Sequence, residues 1–536
     1  MADTHPRPHN GASAMNRADI ADLVARRLAS SRPAAQPPVA APLPQDTTPP
    51  ASTAPAHHPA GAADVPRLVD LPGAGPAEWD VVRQFWDVVQ ELQAQVSDQL
   101  SAQDPNRQLL QEADRRALAK RLVRNAVADW ATQYAQGIGN QPLTEEQEAA
   151  IGTAVYDAMY RGGRLQSLLD QDGVEDVMVD GLTAHVEFYD RPRQEVERVA
   201  DSHDELIKWV NRMAALSGHG ERALTQASPN VGFRMPDGSR VTASLMTTRP
   251  SVVIRRHRIK QHGIDELINW GSLNQMLALF LRACVAAKLN ILVVGDMGAG
   301  KTSLLRALGR EIPAGERLVT LESDRELYLD EPVPDKPGPL TFAFEARQSN
   351  GEVRASGDGG AGEITISDMF ATALRYNASR VIVGEVRSTE IRPMLQAMSA
   401  GGSGSMCTLH VRRPHGIVSR LVELCTDAGM QTQAAHHLIA SAIDVVVYLT
   451  YLDETAIGGK KHRFVSHIYQ VEDEVGETGR PIMTRVFGPQ AGERRAIFEQ
   501  MPSFIDELEL TGLMKAAYLN DNPFGAWLGP LETVRR

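Results

Sequence analysis

The stretch LNILVVGDMGAGKTSLL, residues 289–305, decides the fold of this chain. Its apolar run from Ile291 to Val294 is typical of a buried strand, and the residues after Thr302 are typical of a helix. Between them lies the pattern GxxxxGK followed by Ser or Thr, in the order of strand, glycine loop and helix that a phosphate-binding loop requires. Glycines let backbone N–H groups converge on phosphate oxygens at a helix N-terminus, whose dipole also favours anions. The stretch therefore predicts a site for nucleotide phosphates.

Two side chains of this loop carry specific chemistry. Lys301 is expected to reach the β- and γ-phosphates, and the Thr302 hydroxyl is expected to ligate Mg²⁺. Ser303 is expected to support the helix. The predicted ligands are thus ATP and Mg²⁺, and the candidate nucleotide-binding residues are Gly295, Asp296, Met297, Gly298, Ala299, Gly300, Lys301, Thr302 and Ser303.

A second strand, SRVIVGEVR at residues 379–387, is expected to carry a catalytic acid. Its apolar centre is followed by Glu385 at the carboxyl end. A Walker B strand usually ends in Asp where this chain has Gly384, so Glu385 suits activation of water better than direct ligation of the metal. An ordinary exposed Glu at the end of a strand is the alternative.

A third strand, RLVTLES at residues 317–323, ends in another acidic cluster. Glu322 closes the strand, and Asp324 and Glu326 follow. One of these acids could supply the negative charge near Mg²⁺ that Gly384 lacks. A solvated turn is the competing interpretation for Asp324 and Glu326.

A glycine cluster introduces the fourth element, MSAGGSGSMCTLHVRRP at residues 398–414. MCTLHV is expected to form a strand that places His410 in the core layer. There the histidine could sense the γ-phosphate and pass that state to neighbouring elements, or it could be a satisfied core histidine.

The rest of the chain divides by composition and hydrophobic periodicity. Alternating strands and helices in the core are typical of a parallel α/β fold. Residues 1–76 are rich in Ala and Pro and are expected to be disordered, except that residues 18–30 have the spacing of a short docking helix or an incidental transient one. The predicted divisions are a disordered head at 1–76, a helical domain at 77–150, an α/β N-terminal domain at 151–260 with a hairpin turned at Pro-Asp-Gly, the α/β core at 261–452, and a less regular C-terminal extension at 453–536.

Composition narrows the class of protein further. The chain has 536 residues with 55 basic and 67 acidic side chains, a formal charge of −12, which argues against a role in coating nucleic acid. The cysteines, Cys284, Cys407 and Cys425, form no CxxC pair, which fits a reducing compartment and disfavours a structural zinc site. The most apolar stretch, residues 273–294, is interrupted by charges, so any membrane role is expected to come through a partner.

Four elements in order resemble the secretion ATPase superfamily of type II and type IV secretion, conjugation and type IV pili. GDMGAGKT, VTLESDREL, RVIVGEVR and GSMCTLH look like its Walker A, Asp box, Walker B and His box. Flanking phrases such as GVEDVMVDG and SPNVGFRMPDGSRVTASL are closer still to the tight-adherence (Flp) pilus assembly ATPases of the CpaF or TadA type. The resemblance covers about residues 155–450.

The resemblance implies a hexameric ring whose nucleotide lies between an N-terminal domain and a RecA-like ATPase core. It also implies a cytoplasmic motor that works with inner-membrane platform proteins of a pilus or secretion machine, with no direct nucleic-acid partner. By the same resemblance, catalytic roles fall to six residues, Glu385, Lys301, Glu322, His410, Arg240 and Arg255, and metal binding to Thr302 and Glu322. Arg256 or Arg258 could take the place of Arg255.

The chain departs from the family pattern at a few positions. Ser323 stands where the Asp box often has Asp, Gly232 stands where an acid is common, and Ala378-Ser379 replaces Pro-Asp before the Walker B strand. The alternative functions are a conjugative type IV secretion ATPase, a RecA-like nucleic-acid motor, and a nucleotide-binding scaffold without turnover.

Overall fold

The computed structural model describes residues 76–104, 110–217, 223–256, 262–333, 336–347, 363–401 and 403–534. Residues 1–75 of the predicted disordered head, with its candidate helix at residues 18–30, lie outside the described residues, and residue 76 already belongs to the first helix. Every described residue belongs to one compact unit, residues 67–536.

A group of helices precedes the first sheet. They pack around an apolar core that includes Val89, Val127 and Ile151, as the spacing of their apolar residues predicts. The last of them is capped by Thr144, whose side chain and backbone form a capping box with Gln147, and it continues ten residues past the predicted boundary at residue 150. The helices are α1 (Pro76–Gln84), α2 (Trp86–Gln103), α3 (Glu112–Ala135) and α4 (Glu145–Tyr160).

The next part of the chain forms an antiparallel sheet. Its elements are α5 (Gln166–Leu169), β1 (Val174–Asp180), β2 (Thr183–Phe188), β3 (Gln194–Glu197), α6 (His203–Leu216), β4 (Asn230–Arg234), β5 (Arg240–Ser244) and β6 (Ser251–Arg255). The strand order is β3-β2-β1-β6-β5-β4, and α6 covers the apolar face of the sheet. The hairpin predicted at Pro-Asp-Gly is confirmed, because Arg234 and Arg240 pair across it.

A second sheet follows. Its strands are β7 (Ile291–Gly295), β8 (Arg317–Glu322), β9 (Leu340–Glu345), β10 (Arg380–Val386), β11 (Met406–His410), β12 (Val445–Asp453), β13 (Lys461–Val475), β14 (Pro481–Gln490) and β15 (Glu493–Phe498). Their order across the sheet is β15-β14-β13-β12-β7-β11-β10-β8-β9. In that order, each pair of neighbours from β12 to β9 is parallel, and each pair from β15 to β12 is antiparallel.

Helices cover both faces of this second sheet. Ile291 and Val293 of β7 join one apolar core, and Leu292 and Val294 join the other. A strand that is buried on both sides needs apolar residues at every position, which explains the unbroken run in the sequence. The helices are α7 (Ile264–Asn269), α8 (Gln275–Ala286), α9 (Lys301–Gly309), α10 (Ile366–Ala373), α11 (Ile391–Ser399), α12 (Ile417–Asp427), α13 (Thr432–Ala442), α14 (Ile505–Leu510) and α15 (Ala516–Asp521).

The fold is therefore the predicted α/β arrangement. A RecA-like core follows a smaller sheet that is covered by a helix, and the helices α1 to α4 come before that sheet. The segment 453–536, for which the sequence predicts a less regular extension, continues the second sheet with three antiparallel strands. Phe487 from that segment packs edge-on against Phe280 of α8, with ring centroids 5.0 Å apart. The three cysteines are buried and free. Within the described part of the chain, no helix is long and apolar enough to cross a membrane.

Candidate active site

The glycine loop lies between β7 and α9, as predicted. Gly295 ends β7 beside Leu449 of β12, and a Cβ atom at Gly295 would lie 2.6 Å from the Leu449 carbonyl oxygen, so no side chain fits there. Gly300 takes the left-handed conformation, with φ of +87°, at the N-cap of α9. The loop thus ends where the N–H groups of the first helical turn are free to meet an anion.

Lys301 opens α9 and is buried, with 6% of the residue exposed. Its Nζ donates to the Asp296 carbonyl oxygen at 2.9 Å and lies 3.0 Å from His410 Nδ1. Burial lowers the pKa of Lys301 to about 8, while Glu385 and Asp296 oppose that shift. Thr302 and Ser303, the next residues, are partly buried in the first turn of α9.

Strand register brings His410 to the glycine loop. His410 ends β11 and pairs with Gly295 of β7. Its Nε2 lies 3.0 Å from Glu385 Oε1 on the neighbouring strand. Because the Lys301 ammonium can only donate, Nδ1 accepts from it and the proton of a neutral ring resides on Nε2. His410 was expected in the core layer, but its side chain is 39% exposed because it projects from the end of the strand into the site.

Glu385 sits at the carboxyl end of β10, held by two partners. Its Oε2 accepts from Arg387 at 2.6 Å, and its Oε1 accepts from His410. Burial acts to raise the pKa of Glu385, but these hydrogen bonds outweigh it and hold the pKa at about 2. Glu385 is therefore a carboxylate at neutral pH and can accept a hydrogen bond from water.

Glu322 ends β8 next to β10 and is buried, with 2% exposed. Its Oε1 accepts from the backbone N–H groups of Glu326 and Leu327, each at 2.9 Å. Its Oε2 is buried and has no hydrogen-bond partner among the described residues. Burial raises the pKa of Glu322 to about 7 against those two hydrogen bonds. A buried carboxylate oxygen without a donor suits a cation.

The residues fit a Mg²⁺ ion of the kind that P-loop proteins use. In such sites one or two protein oxygens hold the ion together with substrate phosphates and water. Two oxygens of this chain are of the kind that such a site needs: the hydroxyl of Thr302, and Oε2 of Glu322, which has no hydrogen-bond partner among the described residues. Among the described residues, no group of three or more His, Cys, Asp and Glu side chains is placed to hold a metal.

The candidate arginines come from the first sheet. Arg240 and Arg255 pair directly across β5 and β6, so their side chains lie on the same face. The guanidinium of Arg240 lies 2.7 Å from Asp324 and 3.9 Å from Glu326, in the predicted acidic cluster of the core. Neither acid is therefore the freely solvated turn residue of the competing interpretation.

Arg255 is exposed on that face, and its charge acts to lower the pKa of Lys301. Arg256 turns away, donating to the carbonyl oxygens of Leu169 and Gln171. Arg258 lies outside the described residues. Of the two described candidates, Arg255 is the one that shares a face with Arg240 and whose charge acts on Lys301.

Two contacts at the site were not expected from the sequence. Arg463 of β13 donates to the Gly298 carbonyl oxygen at 2.7 Å, and Arg234 of β4 forms an ion pair with Glu345 of β9. Arg463 belongs to a segment without a recognisable motif. Only the pairing of β12 with β13 brings it to the loop.

This fold and this loop define a P-loop nucleotide-binding protein. The chain belongs to the type II/IV secretion system protein family, whose sequence profile matches residues 165–487, more than half of the chain. The predicted superfamily is thereby confirmed.

Curated relatives share part of the chain. A putative conjugal transfer protein of Mycobacterium tuberculosis is 29% identical over 298 residues, 54% of this chain and 79% of that protein. The type IV secretion system protein PtlH of Bordetella pertussis is 31% identical over 195 residues, 36% of this chain and 53% of PtlH. An uncharacterized protein of Methanocaldococcus jannaschii is 30% identical over 260 residues, 47% of this chain and 34% of that protein. The chain therefore spans about a third of the archaeal relative's length.

Solved structures are similar at lower identity. The ATPase DotB of Legionella pneumophila is 18% identical with a TM-score of 0.40, covering 57% of this chain and 80% of DotB. The VirB11 ATPase of the Brucella suis type IV secretion system, crystallised with sulphate, is 21% identical with a TM-score of 0.29, covering 59% of this chain and 96% of VirB11.

Proposed function

We propose that this chain is a Mg²⁺-dependent ATPase that powers a pilus or secretion machine. The observation that carries the proposal is the chain of contacts from Lys301 through His410 to Glu385, directly beside the glycine loop. It brings a phosphate-binding cation and an ionised carboxylate into one small space.

Each residue has a role in hydrolysis of ATP. Glu385 accepts a hydrogen bond from the attacking water and orients its oxygen towards the γ-phosphate. Lys301 and the loop N–H groups bind the β- and γ-phosphates, and Arg240 and Arg255 stabilise the charge that develops on the transferred group. Mg²⁺, held by Thr302 and Glu322, would neutralise phosphate charge.

His410 connects the cation with the carboxylate. Lys301 donates to Nδ1 of His410, and Nε2–H of the same ring donates to Glu385, so movement of Lys301 towards a γ-phosphate would remove the donor from Nδ1 while the contact with Glu385 remains. Release of phosphate would return Lys301 to His410. The imidazole thereby reports the presence of the γ-phosphate to β11.

The machine that we propose follows from the family and the resemblance. We propose a hexameric ring at the inner face of the membrane, bound to inner-membrane platform proteins, in the assembly of a Flp pilus of the CpaF or TadA type. A conjugative or other type IV secretion machine is the second candidate, which the mycobacterial and Bordetella relatives favour. ATP hydrolysis would be the same in both machines, and only the structure that is assembled or the substrate that is transported would differ.

Phosphate release from ATP by the purified full chain tests this function. The wild type is expected to turn over with Mg²⁺, and Lys301→Ala is expected to abolish turnover because it removes the only side-chain cation of the loop. Undiminished activity in Lys301→Ala would overturn the proposal. Co-purification of the chain with neighbouring membrane proteins distinguishes the pilus from the secretion client.

A further inference from the structure

Arg463 contacts three parts of the molecule with one side chain. It pairs with Tyr451 across β12 and β13, and its guanidinium lies over the Tyr451 ring, 5.2 Å from the centroid. Its Nε donates to the carbonyl oxygen of Gly298 at 2.7 Å. Its other nitrogen, Nη2, donates to Glu175 Oε1 of β1 at 2.7 Å. One guanidinium therefore joins the glycine loop to the first sheet.

The contact with Gly298 concerns the backbone of the phosphate loop. In such loops the N–H groups point to the phosphates, so carbonyl groups point away and need donors of their own. Gly298 has φ of +75°, and the Cδ of Arg463 lies 3.7 Å from where a Cβ of Gly300 would be. Arg463 thus packs along the outer side of the loop, and a charged donor there makes a strong hydrogen bond.

Glu175 is held by a second cation from the same strand. Lys461 Nζ lies 2.8 Å from Glu175 Oε2. The backbone N–H of Lys461 donates to the Tyr189 carbonyl oxygen at 3.2 Å. The Lys461 side chain is almost completely buried, with 6% exposed. Lys461 and Arg463 are two residues apart on β13, so both face the first sheet. The start of β13 is therefore anchored to β1 as well as to the loop.

We infer that Arg463 is a positioning residue that couples the shape of the glycine loop to the docking of the first sheet through Glu175. The inference rests on the proposed ATPase function. When the sheet that carries Arg240 and Arg255 is docked, Glu175 orients Arg463 and the loop keeps its phosphate-binding form. When the sheet moves away, Arg463 loses its carboxylate partner and supports the loop less well. Nucleotide affinity then follows the position of the first sheet.

The test compares Arg463→Gln, Glu175→Gln and their double variant with the wild-type full chain. Arg494→Gln is the matched control, because Arg494 is an exposed arginine on β15. The readouts are the affinity for a fluorescent ATP analogue with Mg²⁺, and KM and kcat for ATP. Thermal melting checks that each variant is folded.

Arg463→Gln is expected to weaken nucleotide affinity and raise KM by about tenfold, with a smaller change in kcat. Glu175→Gln is expected to change the nucleotide affinity and KM in the same direction. The double variant is expected to match Arg463→Gln alone, because the two substitutions break the same connection. Arg463→Lys is expected to restore part of the affinity, since it can still donate to Gly298.

Wild-type affinity in Arg463→Gln, or independent effects that multiply in the double variant, would overturn the inference. If Arg463→Gln does not fold, wild-type affinity in Glu175→Gln overturns it instead. A wild type that binds nucleotide without releasing phosphate contradicts the proposed function, whereas the affinity comparison still tests the coupling.

Discussion

Gly384 leaves open the space that Glu322 occupies. A Cβ atom on Gly384 would lie 3.1 Å from Glu322 Cγ and 3.5 Å from its Oε1. The two residues are on neighbouring parallel strands, β10 and β8. The chain thus has no acid at the Walker B position but has a buried acid on the adjacent strand, and the glycine leaves room for that side chain.

Replacing Gly384 by Ala is expected to displace Glu322 and lower ATP turnover by about tenfold. The added methyl group meets a buried side chain at a distance shorter than ordinary van der Waals contact, so Glu322 must shift. Gly338→Ala is the control, because nothing lies within 4 Å of its Cβ position. Equal activity in the two variants would show that the position of Glu322 is not critical.

Replacing Glu322 by Gln is expected to raise the Mg²⁺ concentration for half-maximal turnover by about tenfold or more. The amide keeps an oxygen for the N–H groups of Glu326 and Leu327 but removes the negative charge from the buried Oε2 position. A Mg²⁺ titration of the steady-state rate measures this. The control variant Glu507→Gln, at an exposed residue, should need the same Mg²⁺ concentration as the wild type. If Glu322→Gln also needed only the wild-type concentration, Glu322 would not be a ligand of the metal.

Replacing Arg240 by Gln is expected to lower kcat by about 100-fold or more with a smaller effect on KM, because an arginine at the transferred phosphoryl group acts mainly in the transition state. Steady-state kinetics separate the two constants. Arg193→Gln, at an exposed arginine that immediately precedes β3 of the same sheet, should leave both constants unchanged. If only KM changed, Arg240 would contribute to binding of ATP in the ground state and to the ion pair with Asp324, and it would have no role in the transition state.

Asp157 gives a prediction about pH and stability. Burial raises the pKa of Asp157 to about 7, although Arg161, 3.1 Å away, opposes the shift. The folded chain therefore holds this proton more tightly than the unfolded chain, whose ordinary Asp pKa is 3.8. The contribution of this bound proton to the free energy of unfolding is fully present below pH 3.8 and is lost as the pH rises through about 7.

Asp157→Asn keeps a neutral side chain at every pH. The wild type loses stability between pH 4 and pH 7 and this variant does not. The free energy of unfolding of Asp157→Asn relative to the wild type is therefore expected to increase over this range, by up to about 1.4 kcal/mol per pH unit. Denaturant unfolding followed by circular dichroism measures the difference. The exposed Asp129→Asn should show no such trend, and a difference that is constant with pH would contradict the raised pKa.

Contiguous motifs made most of the fold and part of the site predictable. The glycine loop and the Pro-Asp-Gly hairpin each fold from neighbouring residues, so their patterns predicted the elements directly. Lys301, Glu385 and His410 follow from strands whose carboxyl ends meet at one edge of a parallel sheet.

Contacts between distant segments were not predictable in the same way. Arg463 and Glu175 are 288 positions apart and meet only because β13 joins β12 in the second sheet while β1 docks against it. The polar residues interspersed along β13 also obscure its strand pattern, since one of its faces is partly exposed. The tautomer of His410 likewise depends on Lys301, which is 109 positions away.

The most direct test of the proposed ATP hydrolysis is a single-turnover measurement on Glu385→Gln beside the wild type, with ATP affinity measured in the same preparations. We expect similar affinity in both proteins and a release of phosphate that is at least about 100-fold slower in Glu385→Gln, because Gln lacks the negative charge that orients and polarises the attacking water. Hydrolysis at the wild-type rate by Glu385→Gln would show that Glu385 is not the catalytic carboxylate.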